Sequence, residues 1–239
     1  MSVIPGPATV DAGELFRVVD IVGVIANGLL GGAVARSRNF DLIGFLVLSI
    51  TSALGGGMLR DAMLNTGTPV ALTDGWYLTS AVAAAVVAYL INFRGLWPRR
   101  ALIVADVLAL GCWSATGAAK GLSAGLAPLP CILLGMVTAV AGGMVRDVLV
   151  GQVPAVLGGN HIYATFAVVG GLEMVVADRM LTRDAGMLIA ILTCLVLGLL
   201  ARRRQWHLPG PMDPVAFVAR SRRAERPAKR VPRRHRSHT

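Results

Sequence analysis

The feature that most constrains this chain is a series of apolar blocks, each long enough to cross a lipid bilayer. A helix needs roughly 20 residues to span the hydrocarbon core, and blocks of about that length are separated here by breaks rich in Pro, Gly or charge. Only 15% of the 239 residues are charged, against about a quarter in soluble domains. The sequence therefore predicts an all-α membrane protein. The candidate spans are 16–35, 41–63, 77–96, 101–121, 127–150, 160–178 and 184–201.

A sequence repeat connects the two halves of this pattern. Shifting the chain so that Asp20 falls on Asp106 aligns it with itself without a gap, and the hexapeptide GGMxRD then recurs, first at Gly56 and again at Gly142. Each repeat holds three spans, and because three is odd the second repeat must enter the membrane from the opposite side. We therefore predict seven transmembrane helices, arranged as two inverted three-helix repeats plus a seventh helix, a plan found among transport proteins.

Charge divides the chain into a neutral body and a basic tail. The net charge of +10 resides in residues 202–239, which hold twelve Lys or Arg and two acids, whereas residues 1–201 hold eleven of each sign. The tail is rich in Arg and Pro and poor in apolar residues, so we expect it to be disordered. The predicted organisation is an N-terminal extracytoplasmic segment 1–15, repeats at 16–96 and 101–178, a seventh helix at 184–201 and the tail 202–239.

The distribution of Lys and Arg among the short loops predicts the orientation. Cytoplasmic loops carry an excess of these residues, and that excess falls on the inner side when the N-terminus is outside and the basic tail is cytoplasmic. We expect a multi-pass protein of the cell (plasma) membrane in this orientation.

Glycine clusters interrupt the second and fifth spans and are candidate pore or kink residues. Clustered glycines allow a helix to bend or unwind locally, and a kink facing water would expose carbonyl oxygens that can bind a cation. Close packing of helices through small residues is the alternative interpretation. The residues are Gly55, Gly56, Gly57, Gly142 and Gly143.

Charged residues at the ends of the apolar spans are the second set of candidates. Ionisable groups in a membrane are costly and usually face the bundle interior or water, often in pairs. The predicted topology gives each membrane face its own Asp–Arg–Asp group, interpreted either as gating groups or as structural ion pairs. Lys120 is expected to snorkel to the interface, and Glu173 to line a path or to pair with Arg179. The two groups are Asp20, Arg60, Asp61 and Asp106, Arg146, Asp147.

The sequence contains no pattern typical of an enzyme. It has no P-loop, no metal-ligand spacing and no nucleophile–base pair, so we expect neither catalysis nor a cofactor nor a structural metal, with K⁺ or Na⁺ only as permeant ions. The three cysteines, Cys112, Cys131 and Cys194, lie in apolar blocks and are expected to be buried thiols rather than disulfides.

At the twin GGMxRD segments the sequence resembles the prokaryotic trimeric intracellular cation channel family, TRIC, which has also been labelled a putative glycine transporter domain and an uncharacterised membrane family. The resemblance covers about residues 14–204. It implies a homotrimer with a separate pore in each protomer, permeable to monovalent cations and chiefly to potassium, between kinked second and fifth helices. Ala141 stands where the first repeat has Gly55, so the second kink is expected to be milder.

Three functions remain open from the sequence. A cation channel is favoured by the repeats, the glycine clusters and the lack of a buried binding constellation, but a secondary transporter of a small solute such as glycine shares the same symmetry. A third possibility is a scaffold whose tail holds anionic lipid or nucleic acid. Anionic lipid is the expected partner of the juxtamembrane basic cluster, and no specific nucleic acid is expected.

Overall fold

The computed structural model describes residues 13–91, 93, 95–157 and 163–206, and the regular structure in these ranges is entirely α-helical. The tail from residue 207 onward, the first twelve residues and His161 lie outside the described ranges. The helices are α1 (Glu14–Ser37), α2 (Leu42–Leu64), α3 (Val70–Thr73), α4 (Gly75–Leu90), α5 (Leu96–Ser123), α6 (Pro128–Leu149), α7 (Tyr163–Met180) and α8 (Arg183–Arg204).

Five of the helices, α1, α2, α5, α6 and α8, are long and apolar enough to cross a membrane. Helix α4 is also apolar but has only 16 residues, and α7 carries Glu173, Asp178 and Arg179 within its 18 residues. The prediction of an all-α membrane protein is confirmed. The count of seven spans and their inverted arrangement remain predictions.

The predicted break between the third and fourth spans was wrong. We placed it at residues 97–100, but α4 already ends at Leu90 and α5 begins at Leu96, directly after Gly95 at φ 119°. Pro98 therefore lies in the first turn of α5, where a proline is tolerated because backbone N–H groups of that turn have no helical partner. The four-residue helix α3 was also not predicted.

Side-chain and backbone caps set several helix ends. Asp41 accepts a hydrogen bond from the backbone N–H of Gly44 at 2.7 Å at the start of α2, and Thr182 accepts one from Ala185 at 3.2 Å at the start of α8. Such caps satisfy N–H groups that have no partner within the helix. Asn65 ends α2 in the left-handed conformation, a common helix stop, at φ 50°.

Two triads of helices form the body of the protein. Helices α1, α2 and α4 pack on one another, and α5, α6 and α7 do the same. The triads meet where α1 packs on α5 and α2 packs on α6, while α8 lies against α5 and α7. Trp113 of α5 is the largest of the fully buried side chains among the described residues, and it lies where these contacts converge.

Candidate functional site

One end of the helix bundle holds a buried group of charged and hydroxyl side chains, which we call the Asp20 cluster. Arg60 lies at its centre and is 1% exposed. Its Nη1 and Nη2 atoms donate to the Asp20 carboxylate at 2.9 and 3.0 Å, and its Nε donates to Asp61 at 2.8 Å. One guanidinium therefore bridges the start of α1 and the end of α2. The cluster consists of Asp20, Arg60, Asp61, Tyr77, Thr116 and Lys120.

Two hydroxyl groups also donate hydrogen bonds to the Asp20 carboxylate. Tyr77 Oη of α4 and Thr116 Oγ1 of α5 each donate to this carboxylate at 3.0 Å. With Arg60, side chains from three other helices hold Asp20 of α1, so the cluster ties α1, α2, α4 and α5 together.

Lys120 is a member of this cluster, contrary to the expected snorkelling. Its Nζ donates to Asp61 Oδ1 at 2.7 Å, and the backbone N–H of Val70 donates to Asp61 Oδ2 at 2.9 Å. Asp61 thus has a guanidinium, an ammonium and a backbone partner. This contact could not be predicted from the repeat, because the repeat equivalent of Lys120 is Val34.

An exposed ion pair near the Asp20 cluster joins Arg17 in the first turn of α1 to Asp74, which precedes α4 and lies outside the predicted spans. Arg17 Nε donates to Asp74 Oδ2 at 2.7 Å. This hydrogen bond holds the pKa of the Asp74 carboxyl below its ordinary value. Exposed pairs of this kind contribute little stability, so the main consequence is to place the start of α4 against α1.

The opposite end of the bundle holds the Asp106 cluster, whose pairing is different. Arg146 Nε donates to Asp147 at 2.9 Å, but Asp106 is paired with Arg202 of α8 and accepts a hydrogen bond from Tyr163 Oη at 3.1 Å. The three residues of the expected Asp–Arg–Asp group lie together here, but Asp106 pairs with the guanidinium that α8 supplies and not with Arg146. The cluster consists of Asp106, Arg146, Asp147, Tyr163 and Arg202.

The two clusters nevertheless occupy equivalent positions of the repeat. Tyr77 follows Asp20 at the same separation, 57 residues, as Tyr163 follows Asp106. Thr116 and Arg202 are also equivalent, since each lies 96 residues after the aspartate that it contacts. The equivalence therefore extends beyond the three-helix repeats. Helix α8 supplies a partner to the aspartate of the second half, as α5 does to the aspartate of the first half.

Each cluster borders a cavity, and the two cavities differ greatly in size. The cavity at Asp106 has a volume of about 290 Å³, whereas the cavity at Asp20 has about 10 Å³. Four equivalent pairs of positions line both of them. These pairs are Asp20 and Asp106, Leu54 and Val140, Gly57 and Gly143, and Tyr77 and Tyr163.

The GGMxRD glycines divide into two kinds. Gly56 and Gly142 hold α2 and α6 together, since a Cβ built on Gly56 would lie 2.4 Å from the Thr138 carbonyl oxygen and one on Gly142 would lie 2.6 Å from the Ser52 carbonyl oxygen. The alternative of close helix packing therefore describes these two residues. Gly57 and Gly143 instead border the two cavities.

The remaining glycine, Gly55, lies beside the α2–α6 contact but leaves more room. A Cβ built there would lie 3.7 Å from the Cα of Gly142, which is an ordinary van der Waals contact. Helices α2 and α6 are α-helical through all of these glycines.

Glu173 of α7 belongs to neither cluster. Its carboxyl group lies near the Thr193 side chain of α8, and its Oε2 atom is buried with no hydrogen-bond partner among the residues described. Among the described residues, Glu173 forms no ion pair with Arg179, so the expected pairing is not found.

Comparison with known proteins supports a relationship over most of the chain. The family model described as Glycine transporter matches residues 17–92 and again residues 103–179, two segments whose starts are separated by the repeat distance. The UPF0126 inner membrane protein YadS of Escherichia coli K12 is 32% identical over 196 residues, which are 81% of this chain and 93% of that protein. A UPF0126 membrane protein of Deinococcus radiodurans is 34% identical over 64% of this chain and 71% of that protein.

Solved structures extend this relationship to the fold. A TRIC cation channel, studied for the structural basis of its conductance, has a TM-score of 0.74 and 30% sequence identity over 82% of this chain and 97% of that one. The TRIC trimeric intracellular cation channel orthologue from Rhodobacter sphaeroides has a TM-score of 0.76 and 25% identity over 81% of this chain and 100% of that one. The chain belongs to the TRIC family. The paired cavities of this TRIC protein thus lie in a fold that it shares with cation channels.

Proposed function

We propose that this TRIC protein is a channel for monovalent cations, with potassium permeant, and that each protomer of a homotrimer has its own pathway along the contact between α2 and α6. The observation that carries the proposal is the pair of cavities that lie beside that contact, each with an aspartate and a tyrosine at equivalent positions of its lining. The solved relatives described as TRIC cation channels support it.

The charges at the Asp106 cavity suit the entry of a cation. Asp106 and Asp147 supply carboxylates, and Gly143 leaves the wall of α6 without a side chain. Rings of carboxylates attract cations at channel mouths. Arg146 and Arg202 neutralise both carboxylates in this conformation, so we propose that ion entry requires at least one of these pairs to separate.

At the other end, the Asp20 cluster closes the pathway. Arg60 bridges Asp20 and Asp61, and the cavity beside it is too small for a hydrated ion. We propose that the bridge acts as a gate as well as a structural pair, since passage at this end requires the guanidinium to leave one of its two partners.

The proposed membrane topology has seven spans in two inverted repeats plus a last helix. With the N-terminus outside, the Asp106 cavity faces the cytoplasm and the Asp20 cluster faces outward. The double match of the family model supports two homologous halves. The exposed Arg203 and Arg204 at the end of α8 then lie at the cytoplasmic surface, where anionic lipid attracts them.

A secondary transporter is the second candidate, and the unequal cavities favour it. One open and one closed cavity of equivalent lining are what alternating access around an inverted repeat would produce. The description Glycine transporter belongs to the family model and gives the substrate to test first.

Recordings from purified protein in planar bilayers separate the two candidates. A channel is expected to give discrete current steps in symmetric KCl, with reversal potentials that show cations passing and chloride excluded. Glycine counterflow without current steps would instead establish a transporter and contradict the channel.

Replacing Arg202 with Gln is expected to raise the unitary K⁺ conductance. The change removes a positive charge from the Asp106 cavity and frees one carboxylate to attract cations. The increase should shrink as KCl approaches ~1 M, where the Debye length is about 3 Å. Arg203→Gln is the matched control, because Arg203 is the exposed neighbour of the partly buried Arg202. Equal conductance in the two variants would show that the Asp106 cavity is not an ion entrance.

A further inference from the structure

The indole of Trp113 occupies the point where the α2–α6 contact meets the Asp20 cavity. The side chain is 1% exposed. A Cβ built on Gly56 would lie 3.0 Å from its Cζ3 atom, and one built on Gly142 would lie 2.9 Å from the same atom. Trp113 also lines the Asp20 cavity. The six-membered ring therefore lies directly on the two glycines at which α2 and α6 meet.

Trp113 has no aromatic equivalent in the rest of the repeat. The residue one repeat earlier is Asn27, and the residue one repeat later is Leu199. The Asn27 amide also lies at this contact, because a Cβ built on Gly142 would be 2.7 Å from its Nδ2. The cavity that Trp113 lines is the small one, and the cavity at the equivalent place in the second half is the large one.

Within the part of the chain that the structure describes, the Trp113 indole is held by packing alone. Its Nε1–H has no hydrogen-bond partner among the described residues and lies against Gly23, where a built Cβ would be 2.4 Å away. A buried indole N–H usually finds an acceptor. Because no hydrogen bond fixes this ring, a rotation of the side chain would break no polar contact.

We propose that Trp113 is the central plug of the pathway and the residue that limits cation passage through the protomer. The inference rests on the proposed channel function and adds a third barrier between the two charged clusters. An ion that follows the α2–α6 contact from the Asp106 cavity to the Asp20 cavity meets the indole at Gly56 and Gly142. An apolar ring at such a point excludes water and so blocks conduction.

Substitution of Trp113 in the full-length protein tests the plug. Trp113→Phe, Trp113→Leu and Trp113→Ala remove progressively more of the ring, with leucine being the residue at the equivalent position one repeat later. Unitary K⁺ conductance or open probability in planar bilayers is expected to rise along this series, reaching at least about threefold for Trp113→Leu, because a shorter side chain widens an apolar constriction.

Phe45→Leu is the matched control for loss of a buried ring. Phe45 is 2% exposed and packs with Ala35, Leu48 and Ala88, in a separate core cluster from that of Trp113. Its replacement should leave conductance unchanged. Size-exclusion chromatography and thermal unfolding report whether each variant is assembled, and Trp113→Phe keeps the test usable if the smaller side chains prevent folding.

A second measurement leaves Trp113 in place. Replacing Trp76, Trp97 and Trp206 with Phe makes Trp113 the sole source of tryptophan fluorescence, and Cs⁺ is both a monovalent cation and a collisional quencher. Cs⁺ is expected to quench the Trp113 fluorescence under conditions in which Cs⁺ flux is measured. It is not expected to quench this fluorescence when the protein is closed. Cs⁺ flux without quenching would overturn the plug even if every Trp113 variant failed to fold.

The outcomes separate the plug from the channel itself. Current steps in the unmodified protein with no increase in Trp113→Leu overturn the plug and leave the channel intact. Absence of current from both proteins overturns both proposals. Current from Trp113→Leu alone supports the plug and contradicts a conducting unmodified protein.

Discussion

Replacing Arg60 with Met is expected to destabilise the protein by about 3–5 kcal/mol, the usual cost of removing one partner from a buried ion pair. Arg60 is 1% exposed and bridges Asp20 and Asp61. Its loss leaves the 1% exposed Asp20 with only the hydroxyl groups of Tyr77 and Thr116 as partners among the described residues. The measurement is the free energy of unfolding in mixed micelles, followed by helical circular dichroism as SDS is added.

Arg146→Met is the matched control for the Arg60 prediction, because Arg146 occupies the equivalent position in the second repeat. Its side chain is 13% exposed, it pairs only with Asp147 among the described residues, and it borders the larger cavity. We expect a markedly smaller loss of stability. Equal losses of stability in the two variants would contradict the proposed difference between a closed end at Asp20 and an open end at Asp106. No loss of stability in either variant would show that the carboxylates of both clusters are hydrated.

Gly56→Ala is expected to cost at least about 1–3 kcal/mol, the range for adding atoms to a packed core. The new methyl group would lie 2.4 Å from the Thr138 carbonyl oxygen, and backbone cannot move aside as a flexible side chain can. Helices α2 and α6 must therefore separate. Gly142→Ala should behave alike, because its methyl group would lie 2.6 Å from the Ser52 carbonyl oxygen. Thermal unfolding in detergent measures both.

The neighbouring glycines are the controls for this second prediction. A methyl group on Gly57 or Gly143 would lie 3.8 or 3.6 Å from the nearest guanidinium nitrogen, a normal contact. Gly57→Ala and Gly143→Ala should keep the stability of the unmodified protein, so any change in their K⁺ flux reports on the pathway. If all four glycine-to-alanine variants unfolded at the same temperature, the α2–α6 contact would not require glycine at Gly56 and Gly142.

The residues of the two clusters that aligned in the repeat could be predicted from the sequence. A charged group in an apolar span needs a partner, and the repeat indicated that Asp20, Arg60 and Asp61 would meet at one end. Their contacts are as the topology suggested. The pore and gating roles of these residues and of the glycines remain predictions.

Other members of the clusters were missed because nothing in their local sequence distinguishes them. Lys120 ends an apolar helix, as a snorkelling residue does, and only the packing of α5 against α2 brings it to Asp61. Arg202 was assigned to the basic tail, although α8 continues through it and places it at Asp106.

The sequence by itself determined the helical class, the membrane location and the presence of two equivalent halves, because apolar length and a recurring hexapeptide are properties of the chain alone. Only the tertiary structure decided which glycines pack and which border a cavity, and which end of the bundle is closed. Those outcomes depend on distances of a few ångströms between helices remote in sequence. Trp113 is the clearest example. Its position at the proposed pathway follows only from the packing of α1, α2 and α6 around its indole on α5.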